Sequence, residues 1–118
     1  MTSWDYFVGF EREPEDLDAF LKNQGYDLFD TDQDNVRNYV SMGGELADLV
    51  DLSYSPEVIE GDEVDEGEPD WSESGRNIIS QLEISTKESV AADEALRITE
   101  ETAKRYNSIS YDPGLGFF

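Results

Sequence analysis

The chain has 118 residues, of which 29 are Asp or Glu and only 8 are Lys or Arg, so its formal net charge is −21. A surface this negative repels DNA, RNA and anionic lipid, because binding to those polyanions depends on Lys and Arg. The absence of Cys and His excludes disulfides and zinc–thiolate sites and removes the usual general base of enzymes. We therefore expect a non-enzymatic protein without a cofactor, with no direct contact to nucleic acid.

Length and hydropathy predict one domain over residues 1–118, with a single core of modest size. The first residues, MTSWD, lack the basic start and the apolar stretch that are typical of a secretory signal. No stretch approaches the roughly 20 apolar residues that a membrane span needs. The sequence therefore predicts a cytoplasmic protein without membrane attachment.

The N-terminal part has the pattern of a strand, a helix and a second strand. Residues 4–10 place large apolar side chains at alternate positions, which is typical of a strand with one buried face. Pro14 suits the first turn of a helix, residues 17–21 have apolar side chains at helical spacing, and Gly25 suits the helix end. Residues 26–30 are short and strand-like, so this part predicts a β-α-β unit.

The C-terminal part repeats this order of elements. Residues 77–84 predict a strand that carries Ile78, Leu82 and Ile84 on one face. Residues 88–106 predict a long helix, because apolar side chains form one stripe and charged side chains lie on the other side.

Further signals mark the ends of this second unit. Residues 85–88 have the spacing of a capping box at the start of the long helix, and Ile98 and Leu96 are expected to face the sheet. Residues 108–111 predict a last short strand. The aromatic end, residues 115–118, is expected to dock back onto the sheet, because chain ends with large apolar groups are usually tied down.

Two β-α-β units in series predict an α+β fold, specifically a ferredoxin-like split β-α-β sandwich with helices on one face of a mostly antiparallel sheet. Residues 30–76 form an acidic central insertion between the two halves in this prediction. Within the insertion, residues 36–42 fit a strand. Residues 45–52 fit either a helix or a strand, and the preceding Gly43 and Gly44 favour a short helix.

The most informative feature is a run of carboxylates in residues 57–73, which we call the acidic segment. No Lys or Arg lies between Arg37 and Arg76. Such a surface attracts a cationic partner over a Debye length of about 8–10 Å and can raise association rates by about 10- to 1,000-fold. The predicted partner-binding residues are Glu60, Asp62, Glu63, Asp65, Glu66, Glu68, Asp70, Trp71 and Glu73.

Surfaces of this kind occur in proteins that mimic DNA and in immunity proteins that block the basic active site of a nuclease toxin. The sequence therefore predicts a binding protein that acts as an inhibitor, an immunity factor or a nucleic-acid mimic. Its expected partner is basic, either a nuclease toxin or a nucleic-acid-binding protein, and Trp71 is expected to act as an apolar anchor in that contact. The structural alternative is a solvated loop in which like charges keep the chain extended.

A second functional interpretation is a salt-adapted (halophilic) small α+β domain whose function lies elsewhere. High Asp and Glu content suits a cytoplasm rich in salt. That adaptation would spread carboxylates over the whole surface, whereas the basic residues of this chain are concentrated towards its two ends.

Residues 30–35, DTDQDN, match the first half of an EF-hand calcium loop. The second half does not match, because Ser41 occupies the twelfth position, where a bidentate Glu is required. Asp30, Asp32 and Asp34 are thus the candidate ligands of a weak calcium site. The alternative interpretation of this stretch is an Asx-rich turn that joins two strands.

Overall fold

In a computed structural model, which describes residues 3–118, the chain forms one seven-stranded sheet and two α-helices. The strands are β1 (Trp4–Phe10), β2 (Tyr26–Thr31), β3 (Arg37–Ser41), β4 (Asp51–Ser55), β5 (Ser80–Thr86), β6 (Ile109–Asp112) and β7 (Gly116–Phe117). The helices are α1 (Leu17–Asn23) and α2 (Ala92–Tyr106). Among these residues, no helix combines the length and the hydropathy that a bilayer span requires.

The strand order is β2-β3-β4-β5-β1-β6-β7, and every neighbouring pair is antiparallel. The α+β class is therefore confirmed. β5 and β6 flank β1 in this order. The ferredoxin-like sandwich as a whole is not confirmed, because β3 and β4 separate β2 from β5, whereas that sandwich would place the two side by side.

The region predicted as an insertion, residues 30–76, contributes both of these additional strands. Residues 45–52 do not form the expected helix beyond one 3₁₀ turn at Ala47–Leu49. Every second side chain of this stretch is buried, at Val50, Leu52 and Tyr54. This alternation is typical of a strand, and β4 lies inside the sheet between β3 and β5. Burial of a complete strand face outweighs the weak helical pattern of this stretch.

Both helices cover one face of the sheet, which we call the helical face. Side chains at alternate strand positions point to this face and meet the apolar stripes of α1 and α2. The largest cluster of buried side chains lies here and includes Tyr6, Val8, Phe10, Leu17, Leu21, Leu52, Leu82, Ile84 and Ile98. The predicted long helix and the burial of Ile98 are confirmed.

The ends of α2 differ in how well the sequence predicted them. α2 ends at Tyr106, as expected, and Asn107 follows in the left-handed conformation, with φ 51°. The predicted capping box is wrong, because Ser85 lies within β5 and its partners are strand residues. The hydroxyl of Thr86 instead accepts a hydrogen bond from the Glu88 amide, and a 3₁₀ turn leads into α2.

The opposite, helix-free face carries a second, smaller core. Phe7, Trp71 and Ile78 are buried there, and Phe117 packs against them. Ile78 was predicted on the same face as Leu82, but it precedes the first residue of β5 and lies on the other face. The docking of the aromatic chain end is confirmed, because β7 pairs with β6 and Phe117 joins this cluster.

Candidate protein-binding surface

The acidic segment leaves the sheet after β4, crosses the helix-free face and returns to β5. Trp71 attaches it to the sheet: the side chain is 0% exposed, and its indole Nε1–H donates to Oε1 of Gln81 at 2.8 Å. Gly9 makes this packing possible, because a Cβ there would lie 2.8 Å from a carbon of the Trp71 ring. The segment is therefore not an extended, solvated loop.

Asp70 links two distant parts of the segment. One oxygen of its carboxylate accepts hydrogen bonds from the backbone amide of Gly61 at 3.1 Å and from the amide and hydroxyl of Ser72. The bond from the Ser72 hydroxyl, followed by that from the Gly61 amide, holds the pKa of Asp70 below its usual range. The charged carboxylate of Asp70 thus holds the Gly61 turn next to the turn that begins at Trp71.

Short backbone turns set the positions of the remaining acids. The chain makes 3₁₀ turns at Gly61–Glu63 and Trp71–Glu73, and the amide of Glu68 donates to the carbonyl of Asp65 at 3.1 Å. Glu68 is half-buried. The exposed carboxylates are those of Glu57, Glu60, Asp62, Glu63, Asp65, Glu66 and Glu73.

No cation neutralises these carboxylates within residues 3–118. The ion pairs in this range are Arg37 with Asp18, Arg97 with Glu94, and Arg105 with Asp16. All three involve residues of, or next to, the two helices, so they lie away from the acidic segment. Its negative charge is left for solvent ions or for a partner.

The acidic surface continues from the segment onto the sheet. Glu83 lies on the helix-free face of β5, directly opposite Ser53 of β4 and Phe7 of β1. Burial raises the pKa of the Glu83 carboxyl, and the negative charges of Asp5 and Glu68 add to this effect. Asp5 and Glu83 were not among the predicted binding residues. Both alternate with buried strand residues, so the sequence pattern could have placed them on the face opposite the main core.

We expect Glu83→Gln to raise the free energy of unfolding at neutral pH by less than about 1 kcal/mol, since Glu83 is half-exposed and screened by solvent. A carboxyl with a raised pKa in the folded state loses stability as pH rises from its unfolded pKa through the folded value. Gln carries no charge, so its advantage over Glu83 should disappear below about pH 4, where the unfolded carboxyl is protonated as well.

Denaturant unfolding of both proteins at neutral and acidic pH measures this difference. Glu100→Gln is the matched control, because it removes one exposed carboxylate from α2 on the other face. If the two substitutions raised the free energy of unfolding equally, the cause would be the lower net charge and not the surroundings of Glu83. A destabilised Glu83→Gln variant would contradict the prediction.

The structure places Trp71 and Asp70 differently from the other predicted binding residues. Trp71 is buried, so a partner that docks on the surface of this fold does not reach its side chain. Asp70 has hydrogen bonds within the segment. We therefore assign both residues to holding the segment in place, and the exposed carboxylates remain the candidates for contact.

Residues 32–36 form the turn between β2 and β3, and Asp30 lies in β2. Oδ1 of Asp32 accepts hydrogen bonds from the amides of Asp34 at 2.8 Å and Val36 at 3.1 Å, the pattern of an Asx turn. Asp30 accepts from the side chain of Asn38. Within the described part of the chain, no group of three or more His, Cys, Asp or Glu side chains could hold a metal ion.

A groove of about 790 Å³ lies elsewhere, between the β1–α1 loop and the end of α2. Its central polar group is Asp16, which accepts a hydrogen bond from the Tyr106 hydroxyl at 2.8 Å and pairs with Arg105. The Tyr106 hydrogen bond is the main cause that lowers the pKa of Asp16. These contacts join α2 to the start of α1, so we assign the polar groups of the groove to structure.

The candidate surface thus has two adjoining parts, the exposed carboxylates of the acidic segment and the carboxylates of Asp5 and Glu83 on the sheet. Both parts lie on the helix-free face, and Glu68 connects them. Comparison of the chain with protein-family models, with curated proteins and with solved structures finds no match.

Proposed function

We propose that the protein binds a basic protein partner through the acidic segment, acting as an inhibitor, an immunity factor or a nucleic-acid mimic. One observation carries the proposal: the segment is folded against the sheet while seven of its carboxylates are exposed and unpaired with any cation of residues 3–118. A partner rich in Lys and Arg supplies the missing charge.

The anchoring of the segment supports binding over a purely solvating role. Like charges in an unanchored loop move apart, whereas Trp71 and Asp70 here hold a charged segment close to the sheet. Keeping like charges together costs free energy in the unbound protein. A cationic partner relieves that repulsion, and a segment already in its bound conformation loses little conformational entropy on binding.

The chemistry of the partner follows from the charge pattern. A protein built to grip a nucleic-acid backbone presents Lys and Arg that neutralise phosphates. Carboxylates fixed on the outside of the acidic segment offer such a protein an alternative set of anionic oxygens. Competition between this protein and DNA for one basic surface is the expected consequence.

The test neutralises exposed carboxylates but spares Asp70 and Glu68, which have contacts within the fold. The segment variant combines Asp62→Asn, Glu63→Gln, Asp65→Asn and Glu66→Gln. The control variant removes the same number of exposed charges outside the segment, at Glu15, Glu88, Glu100 and Glu101. Both variants therefore change the net charge equally.

A basic partner is first recovered by affinity capture at low salt and elution with DNA, and its association rate is then measured by surface plasmon resonance. We expect the segment variant to associate at least about tenfold more slowly at low salt, and its rate to depend less on salt. Dissociation should change less, since exposed charges act mainly on the encounter. Equal rates for the two variants, or failure to retain any basic protein, would contradict the proposal.

A further inference from the structure

The outer edge of β2 is open: no strand of residues 3–118 pairs with it, and residues 27–31 are all exposed. Two backbone hydrogen bonds at the ends of β2 show which of its residues are hydrogen-bonded to β3. The amide of Met42 donates to the carbonyl of Gly25, and the amide of Asp32 donates to the carbonyl of Val36. Because paired and unpaired positions alternate in an antiparallel ladder, the peptide groups of Leu28 and Thr31 face outward. The Leu28 amide donates to Oδ1 of Asp27 at 3.1 Å, which leaves the Leu28 carbonyl and the peptide groups of Thr31 for an added strand.

Apolar side chains accompany these backbone groups. Phe29 is 69% exposed at a β-bulge between Leu28 and Asp30, and Met42, just after β3, is 56% exposed. Leu28 and Val40 are also exposed. Edge strands are usually protected by charged side chains, Pro, a β-bulge or a covering element. β2 has Asp27, Asp30 and one bulge, but it contains neither Lys nor Pro, and no strand of residues 3–118 covers its outer edge.

The charge of this edge specifies its occupant. Asp27 and Asp30 are exposed on β2, and the only basic residue of β2 and β3, Arg37, pairs with Asp18 of α1 at 3.1 Å. A second copy of the chain that paired antiparallel with β2 would bring the Asp27 and Asp30 carboxylates of the two copies close together, which is destabilising. A cationic strand has the complementary charge.

We propose that the open edge of β2 binds an extended, cationic segment of a partner protein as an additional antiparallel strand. The Leu28 carbonyl and the outward peptide groups of Thr31 supply the backbone hydrogen bonds. Phe29 supplies the apolar contact, and Asp27 and Asp30 lie beside the Lys or Arg side chains. This inference goes beyond the proposed function, because it depends on β2 and not on the acidic segment.

The probe is a synthetic peptide of about ten residues in which Lys and Val alternate, a length that covers one strand. A second peptide has the same sequence with alternate backbone amides N-methylated, so it keeps the charge but cannot extend a sheet. At about 0.15 M salt, NMR titration should shift the amides of Leu28 and Thr31. The unmethylated peptide should bind at least about tenfold more tightly. Equal binding of the two peptides would overturn the proposal.

Phe29→Lys should weaken binding of the Lys–Val peptide at least about tenfold, through lost apolar contact and charge repulsion. Val90→Lys is the matched control: Val90 is 64% exposed and lies before α2, so net charge changes equally. The control and the four-site segment variant should each retain binding to within about threefold. Equal loss in Phe29→Lys and Val90→Lys would overturn the proposal, as would a dimer in sedimentation that Phe29→Lys dissociates.

Discussion

Trp71→Ala is expected to lower the free energy of unfolding by about 3–5 kcal/mol, the range for a large buried aromatic side chain. The indole ring fills the second core between Phe7, Ile78 and Phe117, and its N–H has a partner in Gln81. Removing it leaves a cavity and an unpaired amide oxygen. Chemical denaturation followed by circular dichroism measures the loss.

Ile59→Ala is the control within the same stretch of chain. Ile59 is 50% exposed, so its truncation should change stability by no more than about 0.5 kcal/mol. Comparable losses for Ile59→Ala and Trp71→Ala would contradict the assignment of Trp71 as the anchor of the acidic segment.

The close approach of Gly9 to Trp71 allows a second check of the same packing. Gly9→Ala alone should cost about 1–3 kcal/mol, because the new methyl group overlaps the Trp71 ring and Ile78. In the Trp71→Ala background the ring is absent, so the same substitution should cost less, with a coupling of about 1 kcal/mol or more. Additive effects would show that the two residues do not share this space.

Ile98→Ala should lower the free energy of unfolding by about 2–5 kcal/mol, since it removes a fully buried side chain from the helical face. Ile98 lies in the middle of α2 and packs into the main core with the strand residues of β1, β4 and β5. The expected loss therefore includes a cavity that neighbouring side chains fill only in part. Thermal and denaturant unfolding should report the same change.

Val90→Ala provides the comparison, because it shortens an apolar side chain that is mostly exposed just before the same helix. Its effect should stay within about 0.5 kcal/mol. If the Ile98 variant were as stable as the wild type, the packing of α2 on the sheet would be contradicted.

These two anchors have different consequences for function. Ile98 stabilises the sheet and its helices, whereas Trp71 determines where the acidic segment lies on that sheet. Under the proposed function, loss of Trp71 should also slow partner association, because the exposed carboxylates then no longer keep fixed positions.

Local sequence patterns predicted β1, α1, α2 and the docking of the chain end. Hydrophobic periodicity within a few turns of helix or one strand decides which side chains are buried, so Ile98 was predictable without tertiary information. The end of α2 at Tyr106 was predictable for the same reason, because the helix pattern stops there.

Strand order was decided only by the tertiary structure. β3 and β4 lie in the sheet between β2 and β5. No local sequence pattern distinguishes that arrangement from an insertion outside the sheet. Pairing partners depend on contacts between residues distant in sequence. Ile78 was assigned to the wrong face because the alternation of β5 was extended to it, whereas β5 begins only at Ser80.

For the candidate site, the order of charged residues by itself determined where the acidic segment lies in the chain. The cationic partner that we propose follows from that charge, because unlike charges attract. Only the tertiary structure decided which residues of the segment are exposed. Trp71 is buried, and Asp70 is hydrogen-bonded within the segment. Strand register places Asp5 and Glu83 on the helix-free face, near Glu68. Residues 57–73 have no helix or strand periodicity, so which of their side chains are buried depends on contacts with distant parts of the chain.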